Sequence, residues 1–257
     1  MIELDVYLTK DEQVVVVHDR NLLRVTGVDK LVTALNFSEL PNVRNVPSDG
    51  REQGMNNEAI PPEGCPIPLL SQVLKLLRDN REKSVLIELK QASALLVQKV
   101  TQLLKMYGLI KNEQVVWFSL DKHINDILVL VNPDIPRVAS VLENISSTIL
   151  YWLGLLPIVP ISFQVFGTSS GNIQEFVHDL PVIKHWPTPV IVALCRCFKV
   201  LLAPKRVFQV MKSRGIPCYV LGVNQDSEFE FACDIQADSI LSDNPKWLDQ
   251  KYIPNQK

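Results

Sequence analysis

The chain has 257 residues, which is long enough for one large α/β domain with its own hydrophobic core. Its 26 basic and 28 acidic residues nearly cancel, and the formal net charge of −2 gives no general attraction to nucleic acid. The five cysteines are odd in number and include no Cys-x-x-Cys pair. We therefore expect reduced thiols in a reducing compartment, and neither a disulfide framework nor a thiolate metal site.

The first predicted element is a strand over residues 2–8, in which apolar and polar residues alternate. Because residues two apart on a strand point to the same face, Glu3 and Asp5 present two carboxylates side by side. Such a pair suits a hard cation such as Mg²⁺ or Ca²⁺. The same spacing also fits an edge strand whose charged face is merely in water.

A second strand is predicted by the β-branched run Val14–Val17, which the polar residues 9–13 join to the first strand. The run ends in His18 and Asp19. A histidine beside a cation site can transfer protons. By itself, His18 is equally well explained as a structural residue.

Strands and helices alternate through the middle of the chain. A long irregular loop over residues 27–64 precedes a helix that Ser71 is positioned to cap, and a buried strand follows over residues 85–90. Glu88 is the only carboxylate in that strand; it is either a third metal ligand or a strand-end charge that meets water. Further helices are predicted over residues 92–107 and 121–131, and further strands over residues 115–120 and 137–141. This pattern indicates a parallel sheet with helices outside.

An apolar region follows, since residues 144–174 include no Asp, Glu, Lys or Arg. Its densest part, Ile149–Ile161, would span only about 20 Å as a helix, against a hydrocarbon core of about 30 Å. This segment is therefore either a buried part of the fold or an apolar lip that contacts a bilayer or an acyl chain. The face formed by Val190–Leu202, with basic residues nearby, similarly fits either a membrane surface or an ordinary helix.

An ordered string of motifs resembles the glycerophosphodiester phosphodiesterase family, and most closely its membrane-associated, lysophospholipase D-like branch. The string begins with Glu3-Leu4-Asp5 and continues with Thr9-Lys10-Asp11, His18-Asp19, Asn21-Leu22, Arg24 and Thr26-Gly27. Later matches are the Glu88-x-Lys90 strand, a late strand that ends at Asn224, and Asp243 with Pro245 near the end. The resemblance implies a TIM-type (β/α)₈ barrel over residues 1–250, as a single domain with its chemistry at the carboxyl ends of the strands.

The resemblance also implies the roles of individual residues. Glu3, Asp5 and Glu88 would bind Mg²⁺ or Ca²⁺, His18 would act as acid or base, and Lys90 would meet the substrate phosphate. In the family, a Trp usually lies three residues before the late Asn; here that position is Leu221, so Leu221 and Asn224 are expected to line the substrate pocket. The implied substrates are glycerophosphodiesters or lysophospholipids, and the products a head-group alcohol and a phosphomonoester. The implied location is a membrane surface inside the cell, on the cytoplasmic or endoplasmic reticulum face.

The family's first strand, which carries His-Arg-Gly and is followed by Glu-Asn-Thr, has no counterpart before Ile2. The acidic residues near the start also argue against a signal peptide. We therefore expect a fragment, an alternative start or an incomplete gene model, with a barrel that lacks its first strand and hydrolyses little. An alternative is a catalytically impaired barrel that serves as a lipid-surface or interaction protein. A phosphoinositide-type phospholipase is a third interpretation, although its order of motifs fits less well.

Overall fold

The structure is a computed structural model, and it describes residues 1–44, 61, 63–111, 114–169 and 204–252. The chain forms two compact units, Met1–Val141 and Leu142–Lys257, and each is described by itself. The interpretation of residues 1–250 as a single domain stays a prediction.

The first unit is a four-stranded sheet with helices between its parallel strands. Its strand order is β2-β1-β3-β4; β2 pairs with β1 antiparallel, and β1, β3 and β4 are parallel. The loop after β2 also contains two short 3₁₀ turns, Val32–Ala34 and Phe37–Glu39. The elements in chain order are β1 (Ile2–Leu8), β2 (Val14–Val16), α1 (Leu23–Thr26), α2 (Leu70–Asp79), β3 (Val85–Leu89), α3 (Ala94–Met106), β4 (Val115–Phe118) and α4 (Lys122–Val131).

The core of this unit explains which face of the sheet carries the polar residues. Leu4, Val6 and Leu8 from β1 pack with the alternate apolar residues of β3 and β4 and with the buried faces of α2, α3 and α4. Burying each such side chain contributes about 1.5–3 kcal/mol, so this pattern fixes the orientation of the strands. Glu3, Asp5 and Glu88 are consequently left on the opposite face.

The helix ends agree with the sequence in most places and differ from it at one. Ser93 caps α3 by accepting a hydrogen bond from Leu96 N at 3.3 Å, and Gly108, which follows α3, has a φ of 70°. The predicted cap at Ser71 is wrong, because α2 already begins at Leu70. Gln72 fills that role instead: its Oε1 accepts a hydrogen bond of 2.9 Å from Leu69 N.

The second unit contains a three-stranded parallel sheet with the order β5-β6-β7. Its first helix begins at the last residue of the first unit. Arg214 ties the turn after that helix to the rest of the unit, since its Nη1 donates to Leu156 O at 2.6 Å and to Val159 O at 2.8 Å. The elements are α5 (Val141–Trp152), β5 (Phe166–Ser169), α6 (Pro204–Ser213), β6 (Cys218–Leu221), α7 (Asp226–Asp234), β7 (Ser239–Ile240) and α8 (Pro245–Tyr252).

The region between the two sheets departs from the sequence-based expectation. The strand predicted over residues 137–141 is reduced to a bridge between Arg137 and Trp117, because α5 already begins at Val141. The next strand of the chain, β5, begins at Phe166. The predicted face Val190–Leu202 lies outside the described residues. Within the described ranges, no helix combines the length and the apolar character needed to cross a bilayer.

Candidate metal centre and active site

The parallel pairing of β1 with β3 brings three carboxylates together. Asp5 lies opposite Glu88 in the register of these strands, and Glu3 lies opposite Leu86. One ligand oxygen from each of Glu3, Asp5 and Glu88 lies within 4.8 Å of the other two. The sequence pattern predicted this convergence, because Glu3 and Asp5 share a face of β1 and neighbouring parallel strands keep their faces aligned. Their role as metal ligands stays a prediction.

Lys90 inserts its ammonium group between two of these carboxylates. Its Nζ lies 2.9 Å from Glu88 Oε2 and 3.2 Å from Asp5 Oδ1. Asp5 and Glu88 are only 7% and 6% exposed. Within the described residues, Glu88 Oε1 and Asp5 Oδ1 are buried and make no hydrogen bond, although the ammonium lies beside Asp5 Oδ1. Burying a charged oxygen costs free energy unless a partner compensates it. The hydrogen-bonding capacity of these two carboxylate oxygens is therefore only partly used.

The electrostatics of the cluster follow from this burial. Burial raises the pKa of Glu88; the Lys90 ammonium opposes the rise, and the Asp5 carboxylate adds to it. Burial acts to lower the pKa of Lys90, but its hydrogen bond and charge interaction with Glu88, together with the charge of Asp5, outweigh burial and raise it. Lys90 is therefore held firmly in its charged form.

The donor set fits a hard divalent cation. All three groups are carboxylates, which are the ligands that Mg²⁺ and Ca²⁺ prefer. Three ionised carboxylates and one ammonium leave two negative charges, which one divalent cation would balance. The partly satisfied oxygens of Asp5 and Glu88 are the atoms available to complete such a site.

His18 follows β2, and its ring contacts the carboxylate of Asp19. Val17 N donates to Asp5 O at 3.0 Å, which places His18 next to the strand that carries two of the carboxylates. The side chain of His18 is 62% exposed, and its Nδ1 lies 2.7 Å from Asp19 Oδ1. Of the described residues, the cluster of converging ligand atoms includes Glu3, Asp5 and Glu88 but not His18. This position suits proton transfer better than metal binding.

The remaining predicted site residues, Leu221 and Asn224, belong to the second unit. Leu221 is the last residue of β6 and is half-buried. Asn224 joins two loops: its Nδ2 donates to Asp243 Oδ2 at 2.7 Å, and its Oδ1 accepts from Asp243 N at 2.8 Å. A shallow cavity of about 560 Å³ is lined by Asn224, Gln225, Asp226, Ser227 and Trp247. Asn224 thus has a clear structural function, and the substrate roles of Leu221 and Asn224 stay predictions.

Two features of the site were missed in the sequence. Tyr7 is two residues beyond Asp5 on the same face of β1 and is only 7% exposed. Burial raises the pKa of its phenol, and the charges of Lys90, Asp5 and Glu88 also act on it. The alternation that selected Glu3 and Asp5 also contained Tyr7. The second feature is the contact of Asp19 with Arg24. An arginine five residues after the His-Asp pair was the only indication of this contact in the sequence.

Comparison with known proteins places the chain in a family. Residues 1–143 match the model of the glycerophosphoryl diester phosphodiesterase family. The chain is 33% identical over 262 residues to the lysophospholipase D GDPD1 of Rattus norvegicus, covering 99% of this chain and 77% of that protein. It is 26% identical over 257 residues to the lysophospholipase D GDPD3 of Mus musculus, covering 100% of this chain and 74% of that protein.

Solved structures of similar fold are also phosphodiesterases. The glycerophosphodiester phosphodiesterase of Agrobacterium tumefaciens matches with a TM-score of 0.61 and 19% identity, over 95% of this chain and 84% of that one. A phosphodiesterase of Oleispira antarctica, solved with its product sn-glycerol-3-phosphate, matches with a TM-score of 0.61 and 16% identity, over 96% and 83% of the two chains. At these identities the likeness shows the fold alone, and it confirms the predicted α/β barrel class. With the family match and the curated relatives, it follows that the chain belongs to the glycerophosphoryl diester phosphodiesterase family and is a phosphoric diester hydrolase.

Proposed function

We propose that this chain is a divalent-metal-dependent phosphodiesterase that acts on glycerophosphodiesters or lysophospholipids and releases the head-group alcohol. The observation that carries the proposal is the convergence of Glu3, Asp5 and Glu88 within 4.8 Å, beside the buried ammonium of Lys90. The curated relatives support the lysophospholipid substrate, since the rat and mouse proteins are named as lysophospholipases D.

The chain's own residues suggest how such a site would work. Glu3, Asp5 and Glu88 would hold the cation, which when bound polarises the phosphoryl oxygens of the substrate. The Lys90 side chain is 18% exposed and ends in a charged ammonium, which would also bind a phosphate oxygen of the substrate. His18, with an exposed ring, would accept or donate a proton at the oxygen of the attacking water or of the leaving alcohol.

A direct assay separates this proposal from a non-catalytic role. Choline release from lysophosphatidylcholine and from glycerophosphocholine is measured with Mg²⁺, with Ca²⁺ and with EDTA, using wild type and Glu88→Gln. Because the resemblance places a second histidine and an arginine in a His-Arg-Gly strand, the assay includes a second version with such a strand from a relative joined before Ile2. Turnover that requires metal and is lost in Glu88→Gln supports the enzyme. Vesicle binding without turnover in either version supports the alternative, a lipid-surface or interaction protein.

Membrane contact through Ile149–Ile161 is part of the proposal, and the exposure of α5 supports it. The usual pattern of burial is reversed in this helix. Its buried face carries the polar residues Ser147 and Thr148, and its exposed face carries large apolar side chains. Tyr151 and Trp152 pack edge to face at its end, with ring centroids 5.5 Å apart, and such aromatic residues favour membrane interfaces. An exposed apolar face of this kind suits a protein that extracts a lipid substrate from a bilayer. The exposed apolar residues are Leu142, Ile145, Ile149, Trp152, Leu153, Leu155 and Ile158.

A further inference from the structure

His18, Asp19 and Arg24 form a continuous polar chain that begins two residues after the end of β2. Asp19 Oδ1 lies 2.7 Å from His18 Nδ1. Arg24 binds the same carboxylate through two nitrogens: its Nε donates to Asp19 Oδ2 at 2.6 Å, and its Nη2 donates to Asp19 Oδ1 at 2.9 Å. Such two-point pairing between a guanidinium and a carboxylate fixes direction as well as distance.

The three side chains differ in their exposure to solvent. Asp19 is the most enclosed, at 18% exposure, whereas Arg24 is 43% and His18 is 62% exposed. Burial acts to raise the pKa of Asp19, but the hydrogen bonds and charges of Arg24 and His18 outweigh burial and lower it. Asp19 therefore stays ionised and can only accept hydrogen bonds, so the Nδ1 of His18 must carry a hydrogen.

The short helix α1 holds Arg24 in place. Asn21 Oδ1 accepts from Leu23 N at 2.9 Å at the start of this helix, and Gly27, with a φ of 77°, ends it. The neighbouring pair of Asn21 Nδ2 with Asp29 Oδ1, at 2.7 Å, closes the same loop. The guanidinium is thus presented by a folded turn.

We propose that Asp19 and Arg24 are positioning residues for His18: Asp19 binds the Nδ1–H, Arg24 orients Asp19, and the Nε2 of His18 is left facing outward to exchange the proton. This inference rests on the proposed function, in which His18 is the acid or base. The proton moves at Nε2 in both directions, to it from the attacking water or from it to the leaving alcohol oxygen, while Nδ1–H stays on Asp19.

The tautomer of His18 tests the inference independently of turnover. The chain has four histidines, so the ring nitrogens of His18 are assigned in ¹⁵N NMR spectra by comparison with His18→Ala. At a pH where the ring is neutral, we expect hydrogen on Nδ1 and none on Nε2 in wild type. The two tautomers should mix in Asp19→Asn. Arg24→Lys, which keeps the charge but not the two-point contact, should lie between them.

Kinetics complete the test. Asp19→Asn should lower kcat by about 10²-fold or more with little change in KM, within the range for loss of a positioned proton-transfer group. Arg24→Lys should retain part of the activity. Asp126→Asn, which weakens an exposed ion pair with Lys122 on α4, should retain nearly all of it. If Asp19→Asn does not fold, Arg24→Lys decides both measurements.

The two proposals fail in different ways. A chain that hydrolyses no phosphodiester with or without the added His-Arg-Gly strand, yet changes its His18 tautomer in Asp19→Asn, would refute the proposed function and leave the positioning pair intact. A chain with metal-dependent turnover, but with an unchanged tautomer and unchanged kcat in Asp19→Asn, would overturn the positioning pair.

Discussion

Asp5 and Glu88 lie directly opposite each other on adjacent parallel strands, both nearly inaccessible to solvent, and Lys90 is the cation that contacts both carboxylates. Like charges placed this close are unfavourable, and one ammonium neutralises only part of them. Burial is the main cause of the raised pKa of Glu88, and the nearby Asp5 carboxylate adds to it. A bound divalent cation would offset the remaining negative charge.

The first prediction is that a divalent cation stabilises the fold through this cluster. At a concentration 100 times its dissociation constant, Mg²⁺ or Ca²⁺ should add about 2.7 kcal/mol to the free energy of unfolding of wild type. Glu88→Gln should gain almost none, because one of three ligands is lost. Thermal melts with metal and with EDTA measure both values, and Glu82→Gln, an exposed carboxylate before β3, is the matched control. Equal stabilisation of Glu88→Gln and wild type would place the metal elsewhere.

The second prediction separates Lys90 from an ordinary surface lysine. Lys90→Met should lower the free energy of unfolding of the metal-free chain by about 3 kcal/mol, because it leaves buried carboxylates without their cation. Lys99→Met is the control: Lys99 pairs with Glu12 at 3.0 Å, but these side chains are 34% and 52% exposed, so we expect a loss of less than about 1 kcal/mol. Urea denaturation at pH 7 measures both. Similar losses in the two variants would show that the Lys90 pairs contribute little.

The third prediction concerns Asp19 and acid. Its pKa is lowered in the folded chain, so its ion pair adds stability above the ordinary Asp pKa of about 3.9, and that stability is lost as the pH falls through the folded-state pKa. Wild type should therefore be more stable than Asp19→Asn at about pH 5 and above. The difference should shrink towards zero at lower pH. Urea melts across this range test it; a difference that persists unchanged to pH 2 would contradict the ionic origin.

The fourth prediction concerns the exposed apolar residues of α5 and of the turn that follows it. Flotation with vesicles of anionic phospholipid should recover wild type, and the double substitution Trp152→Glu and Ile158→Glu should reduce recovery at least about tenfold, because charged groups are costly in the interface. These positions are 54% and 76% exposed, so the fold should tolerate the change. Leu156, in the same segment, is fully buried, so a charge at that position would disturb folding and would not report on membrane binding.

The control for vesicle binding is Leu130→Glu, on α4 in the other unit. Leu130 is 82% exposed, so it offers an equally accessible leucine on a different surface. If Leu130→Glu weakens flotation as much as the double substitution, vesicle binding is not specific to the apolar surface that includes Trp152 and Ile158. If neither weakens it, the chain does not use this face to meet membranes.

The sequence predicted the site better than it predicted the middle of the fold. The period of two in β1 placed Glu3 and Asp5 on one face, and the resemblance to the family implied Glu88 as their partner in β3. What the sequence could not give was the register that sets Asp5 opposite Glu88, because the two strands are about 80 residues apart and only packing aligns them. The contact of Lys90 with both carboxylates depends on that register.

Local pattern failed where another element started sooner than expected. Residues 137–141 read as a strand, yet α5 begins at Val141 and limits the pairing to Arg137 with Trp117. Ser71 had the right chemistry for a cap, but the backbone is already helical at Leu70. The inverted face of α5 was likewise not readable from composition, since an uncharged segment fits a buried helix and an exposed one equally well.

The account depends most directly on whether Glu3, Asp5 and Glu88 together bind one hard divalent cation. The measurement is a titration with Mn²⁺, followed by the electron paramagnetic resonance signal of the unbound ion, with Mg²⁺ or Ca²⁺ as competitor. We expect one bound Mn²⁺ per chain, displaced by Mg²⁺ or Ca²⁺, with affinity lowered at least about tenfold in each of Asp5→Asn and Glu88→Gln and unchanged in Glu82→Gln. No binding to the wild type, or binding that Asp5→Asn and Glu88→Gln leave unchanged, would contradict the metal centre and the mechanism proposed from it.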